Sequence, residues 1–162
     1  MSTLYQRFDT EAAYREAIDT VLREARHNIS ILDYDLSRMQ LESLERSRLL
    51  TEFIEAPGER ERQVLIAVQC ATLIETRMPR LVEILKRHPH TVEIRSIPDE
   101  FSHLSDCQVL VDAKHGVRRF HASHARGVLI LNDTEEIHPW RMRFNELWSL
   151  CKRTMSSPDL RI

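Results

Sequence analysis

Four of the eight histidines fall between residues 103 and 124, namely His103, His115, His121 and His124. An imidazole serves as general base, nucleophile or metal ligand according to what stands beside it. Here the neighbours are Lys114, Arg118, Arg119 and Arg126, with no carboxylate from Lys114 to Gly127. Guanidinium forks match phosphate oxygens, so this stretch is a candidate phosphate- or nucleic-acid-binding face. His121-x-x-His124, with His103 or Asp112, is also a candidate set for a transition metal. The plainer reading has the histidines solvated or hydrogen-bonded and the arginines paired with Asp99, Glu100, Asp106 or Glu135. For stacking on bases the stretch offers only Phe120. Asp33 and Asp35, in LDYDL, form a second candidate group at the C-terminal end of a strand, where ligands of open α/β sheets often bind.

Other chemistries are excluded. There is no GxGxxG, GxxxxGK[ST], GxSxG or HExxH, and only three glycines in all; the usual phosphate cradles, nucleophile elbow and zinc-protease helix are therefore missing. Cys70, Cys107 and Cys151 are odd in number, widely spaced and without a CxxC. They read as packed thiols rather than disulfide or zinc partners. No cofactor or metal is expected. The formal net charge of −2 on 162 residues gives no global attraction to nucleic acid or anionic membrane. No apolar run is long enough to span a membrane, and MSTLYQRFDTEAAYREA has no signal-peptide core, so the expected location is cytoplasmic.

The elements that must position these residues read as follows. Tyr14, Ala17, Ile18, Val21, Leu22 and Ala25 repeat at helical spacing from about Thr10 to His27, with Phe8 and Asp9 as staple and N-cap. NISILDYD and RQVLIAVQ are strands with apolar residues on both faces, as buried central strands require. Between them a helix is expected from about Ser37 to Glu55, broken by Pro57-Gly58. Pro79 opens a further helix and Pro89 stops it; TVEIRSI is the next strand. CQVLVDA, GVRRFH and GVLILN then follow closely, as hairpin-connected strands do. A last helix is expected from Pro139 to about Arg153, with Trp140, Phe144 and Trp148 as core residues. The alternating part implies a parallel sheet and the hairpins add antiparallel strands. The fold class is thus α/β: one domain over residues 1–162, a mixed sheet with helices on both faces, a core of about 8–153 and a loose tail at 154–162.

The element order and several segments resemble the phospholipase D-like superfamily, as half of a two-motif enzyme or one subunit of a dimeric single-motif member. LREARHNISILDYDL resembles its opening helix and strand, RQVLIAV and TVEIRSI its next two strands, and FNELW its closing Phe-x-x-Leu-Trp. The pattern also resembles a group of short bacterial phospholipase D-like proteins. The resemblance implies an H-x-K-x4-D motif, whose histidine attacks phosphorus and whose lysine holds the phosphate. Setting Asp112 on the motif aspartate puts Ser105 at the histidine and Cys107 at the lysine. Such chemistry needs an attacking imidazole and a cation, so the resemblance implies a non-catalytic domain that binds or scaffolds, as a homodimer. The alternative is a phosphodiesterase or nuclease using relocated His121 and His124 with Asp112, and Arg118 or Arg119 as phosphate clamp. A purely structural subunit is the third reading.

Overall fold

A computed structural model describes residues 2–58 and 61–155 of the chain. Eight strands form one sheet: β1 (Leu4–Phe8), β2 (Asn28–Asp33), β3 (Gln63–Val68), β4 (Val92–Ser96), β5 (Cys107–Val111), β6 (His115–His121), β7 (His124–Leu131) and β8 (Lys152–Met155). Their spatial order is β1-β7-β6-β5-β2-β3-β4-β8. β2, β3 and β4 are parallel, and every other pairing is antiparallel. Five helices flank the sheet: α1 (Glu11–Glu24), α2 (Leu44–Glu55), α3 (Thr72–Arg77), α4 (Pro79–Arg87) and α5 (Thr134–Leu150). The expected mixed α/β sheet is what the chain forms.

Two apolar layers result from strands that are apolar on both faces. Ile29, Ile31, Val109 and Val111 join the residues of α1, α2 and α4 in one layer. Leu32, Leu110, Val128 and Ile130 point the other way, onto Ile137, Phe144 and Leu147 of α5. Helices therefore cover both faces, with α5 and the short turn that carries Phe101 on the second. Trp140 and Trp148 pack against that layer, as the spacing of the last helix predicts. Among the described residues no helix is long and apolar enough to cross a membrane.

Several boundaries differ from the sequence reading. LYQRF, where the sequence reading expects no strand and takes Phe8 as a helix staple, is β1. The α1 cap is Thr10, whose Oγ1 accepts the Ala13 amide at 3.0 Å, not Asp9. α2 begins after Ser43, whose Oγ accepts the Arg46 amide, rather than at Ser37. Leu36 and Gln40, with φ of 70° and 50°, cannot continue a right-handed helix through that stretch. α5 begins five residues before Pro139, because Asp133 Oδ1 accepts the Glu136 amide at 3.1 Å. Pro139 lies inside the helix and costs it one backbone bond. α5 ends at Leu150, and Lys152–Met155 turns back to pair with β4. Thr154 and Met155, expected in the tail, thus belong to β8; residues 156–162 lie outside the described residues.

Candidate functional site

The C-terminal ends of β2, β3 and β4, the start of β5 and the β6–β7 tip lie at one end of the sheet. β5 runs antiparallel to β2, with Gln108 opposite Leu32, so Cys107 meets Asp33. Asp33 is 3% exposed. Its carboxylate accepts the amides of Tyr34 and Leu36 at 2.8 and 3.1 Å and hydrogen-bonds the Cys107 thiol. Burial pushes both groups up, and the Asp33 charge raises the thiol further. Cys107 therefore stays a thiol, neither cation nor nucleophile. Asp35 accepts the amide and hydroxyl of Ser37, so the two aspartates organise a turn instead of facing a ligand together.

Arg119 stands opposite Cys107 in the β5–β6 register and is 0% exposed. It donates to both Glu11 oxygens, at 2.7 and 2.9 Å, and to the carbonyls of His121 and Ala122. Its guanidinium lies 4.8 Å from the centre of the Tyr14 ring. The hydrogen bond from Arg119 holds the Glu11 carboxyl below its ordinary range, against a smaller opposing effect of burial. Arg119 is consequently a core ion-pair residue. Its partner is none of the four carboxylates named from sequence, because Glu11 is 108 positions away.

The β6–β7 tip lies against the segment just before β5, since the Ala122 amide donates to the Ser105 carbonyl at 2.6 Å. At the tip, His121 Nδ1 accepts the Ser123 amide at 3.2 Å and lies 2.6 Å from Ser123 Oγ. An acceptor Nδ1 places the proton of the neutral ring on Nε2. The His121 and His124 rings are 5.7 Å apart. Among the described residues, no three His, Cys, Asp or Glu side chains converge as a metal site.

Asp112 does not join them. It lies past the far end of β5, about 17 Å along the strand from Cys107. There it accepts the amides of Arg26, His27 and Asn28 at 2.7–3.0 Å and fixes the α1–β2 connection. Lys114 is at that same far end, its amide donating to the Val111 carbonyl. The set His121, His124 and Asp112 is therefore split between opposite ends of the sheet. So is the basic run, with Lys114 apart from Arg118 and Arg126.

Arg118 sits on the α5 side, and Arg126 is exposed near the β6–β7 tip. Arg118 lies 5.9 Å from the Trp140 ring and 5.8 Å from that of Phe120. Its Nε is 3.4 Å from Asp106, which Arg143 holds with two bonds of 2.6 and 2.7 Å. Pairing with Asp106 is one of the partnerships expected from sequence. Burial pushes the Asp106 carboxyl up, but the Arg143 hydrogen bonds and the charges of Arg143 and Arg118 outweigh this and hold it low. A depressed folded value gives stability that is present above the unfolded carboxylate's pKa of about 3.9 and lost as pH falls through the folded value. Asp106→Asn should therefore lose about 1–2 kcal/mol at pH 7, with the gap to wild type narrowing as pH falls below about 3.9. Urea unfolding at pH 7 and at pH 3 checks this, and a gap unchanged at pH 3 would contradict it.

A family model described as "Domain of unknown function (DUF7931)" matches residues 10–162. No curated protein matches the chain. Among solved structures, the phospholipase D family member Nuc from Salmonella typhimurium superposes with a TM-score of 0.67 at 12% identity, over 94% of this chain and 99% of that one. NucT from Helicobacter pylori gives 0.59 at 11% identity, over 94% and 100%. TrmBL2, described as an archaeal chromatin protein with a novel mode of DNA binding, gives 0.66 at 12% identity, over 93% of this chain and 54% of its own. This chain therefore spans about half the length of the chromatin protein. At these identities the likeness is one of fold, and the fold is that of phospholipase D family members.

Proposed function

The chain belongs to the DUF7931 family of domains of unknown function, and we propose that it is a non-catalytic, phosphate-recognising binding module built on the phospholipase D-like fold. One observation carries this reading. The position that the resemblance gives to the phosphate-holding lysine is taken by Cys107, 2% exposed and hydrogen-bonded to Asp33. The nearest guanidinium across the strand pair, Arg119, is buried and committed to Glu11. A phosphoryl group would meet neither an available cation nor, at Ser105, an imidazole. Recognition then falls to the exposed arginines, and nucleic acid is the phosphate polymer favoured, since the same fold occurs in a chromatin protein described as binding DNA.

The competing reading, a phosphodiesterase with a relocated nucleophile, has one observation behind it. The hairpin tip brings the Ser123–His121 pair and His124 onto the Ser105 segment. Asp112 has no part in that arrangement. Hydrolysis of bis(p-nitrophenyl) phosphate by purified protein, with and without EDTA, separates the two. His121→Ala/His124→Ala, purified in parallel, controls for contamination. The expected result is no turnover from either protein. Turnover by the wild type alone would overturn the binding-module reading and place the chemistry on the histidines; EDTA sensitivity would then show whether a metal assists.

A further inference from the structure

β1, β7 and β6 lie side by side at one edge of the sheet, and none of the three contains an aspartate or glutamate, in a chain with 25 acidic residues. Strand alternation sends Tyr5, Arg7 and Arg118 to the α5 side, and Phe120 and the exposed Arg126 follow at the bulge of the β6–β7 pair. Arg7 and Arg118 flank Val128 in one row, and Tyr5 pairs with Ile130 in the row beside it. Phe120 lies next to Arg118 on that side. α5 leaves this part of the face open: Tyr5 is 55% and Phe120 47% exposed, and Arg7 and Arg126 are exposed as well. Neither of those two arginines has a side-chain partner among the described residues. Asp106, the carboxylate that meets Arg118, is covered by Arg118 and Arg143.

We propose that this face is a platform for single-stranded nucleic acid, with Tyr5 and Phe120 stacking on bases and Arg7, Arg118 and Arg126 holding phosphates. The proposal deepens the binding-module reading and rests on it for the phosphate chemistry. Charge complementarity selects a polyanion: exposed cations stand together with no competing carboxylate on the strands that carry them. The aromatic rings select single strands. Base π-faces are available for stacking only where the bases are unpaired, and rings interleaved with arginines on a sheet suit that geometry. Strand spacings put Tyr5 and Phe120 roughly 16 Å apart, so they would stack on non-adjacent bases with the arginines in between. A duplex would offer the arginines its phosphates but leave both rings idle.

The test is fluorescence anisotropy with a labelled oligothymidylate and with a labelled duplex of the same length, using the full chain. Tyr5→Ala and Phe120→Ala should each weaken oligothymidylate binding about tenfold while changing duplex binding less than twofold. Arg7→Ala and Arg126→Ala should weaken both probes and make the single-strand salt slope shallower by about 0.7 each. Phe120→Trp should retain affinity, and the bound strand should quench its added emission, which guards against misfolding of the alanine variant. Binding that ignores both rings, or a duplex preferred over the single strand, would overturn the platform and leave the binding module standing. No binding of either probe would overturn both. Phosphodiester turnover with the ring dependence intact would overturn only the non-catalytic reading.

Discussion

Glu11→Ala is expected to destabilise the fold by about 3 kcal/mol, although Glu11 is a half-exposed residue in the first turn of a helix. An ordinary surface carboxylate costs less than about 0.5 kcal/mol when truncated. Glu11 differs because its partner cannot follow it into solvent. The Arg119 side chain is 0% exposed and that of Glu11 is 47% exposed. Truncation leaves a buried guanidinium with two backbone carbonyls and the Tyr14 ring but no counter-charge. Stripping one partner from a buried pair costs about 3–5 kcal/mol, and water reaching Glu11 argues for the lower end. For a chain of this length that corresponds to a fall of about 10 °C in Tm. Arg119→Met removes the stranded charge itself, so Glu11→Ala/Arg119→Met should be more stable than Glu11→Ala alone. Thermal and urea unfolding of the three variants decide the matter. If Glu11→Ala costs under 1 kcal/mol, or the double variant is the weaker, Arg119 does not depend on Glu11.

That pair also shows where sequence reading stops. The central architecture was legible because β2, β3 and β5 carry apolar residues on both faces and α1 and α4 repeat at helical spacing. Short hairpin connections announced β6 and β7. β1 was not legible: five residues at a sheet edge, with only Phe8 buried, give too little alternation to outweigh a helix-staple reading. Yet β1 supplies Tyr5 and Arg7, so the aromatic partner that the chain around Phe120 lacks comes from across the strands. Asp133 had a visible signal, an acidic cap three residues before Glu136, but Pro139 drew the helix start away from it. The fate of the four basic residues had no local signal. Lys114, Arg118, Arg119 and Arg126 look alike in sequence. Sheet register sends Arg119 inward to Glu11 and Arg118 outward on the α5 side, leaves Arg126 exposed near the hairpin tip, and puts Lys114 at the other end. The two histidines did come together, whereas Asp112, the residue aligned with the motif aspartate, is spent on three backbone amides.

The same edge of the sheet depends on one missing side chain. Gly127 sits in β7 between Phe8 of β1 and Arg119 of β6. A β-carbon there would collide with the Arg118 carbonyl oxygen, come within 2.9 Å of its carbonyl carbon and lie 2.5 Å from Phe8 Cζ. The first two atoms are backbone and cannot rotate away. The close approach accompanies the register shift between Arg119 and His121, where a bulge draws the two backbones together and glycine is the residue that permits it. Gly127→Ala must therefore displace β6 or push Phe8 off the Tyr14 ring, against which it packs at 5.6 Å. The expected cost is about 3 kcal/mol or more, at the severe end of overpacking. The damage should be uneven. β1 is the edge strand and its Phe8 is the movable obstacle, so β1 should detach first. Hydrogen exchange should then show the amides of Leu4–Phe8 losing protection while those of β2 and β3 keep theirs. Oligothymidylate binding should fall with them, since Tyr5 and Arg7 leave the face together. A variant as stable as wild type would mean that the β6 and β7 backbones separate freely at this point. Uniform loss of protection across the sheet would mean that β1 is no less firmly held than the centre.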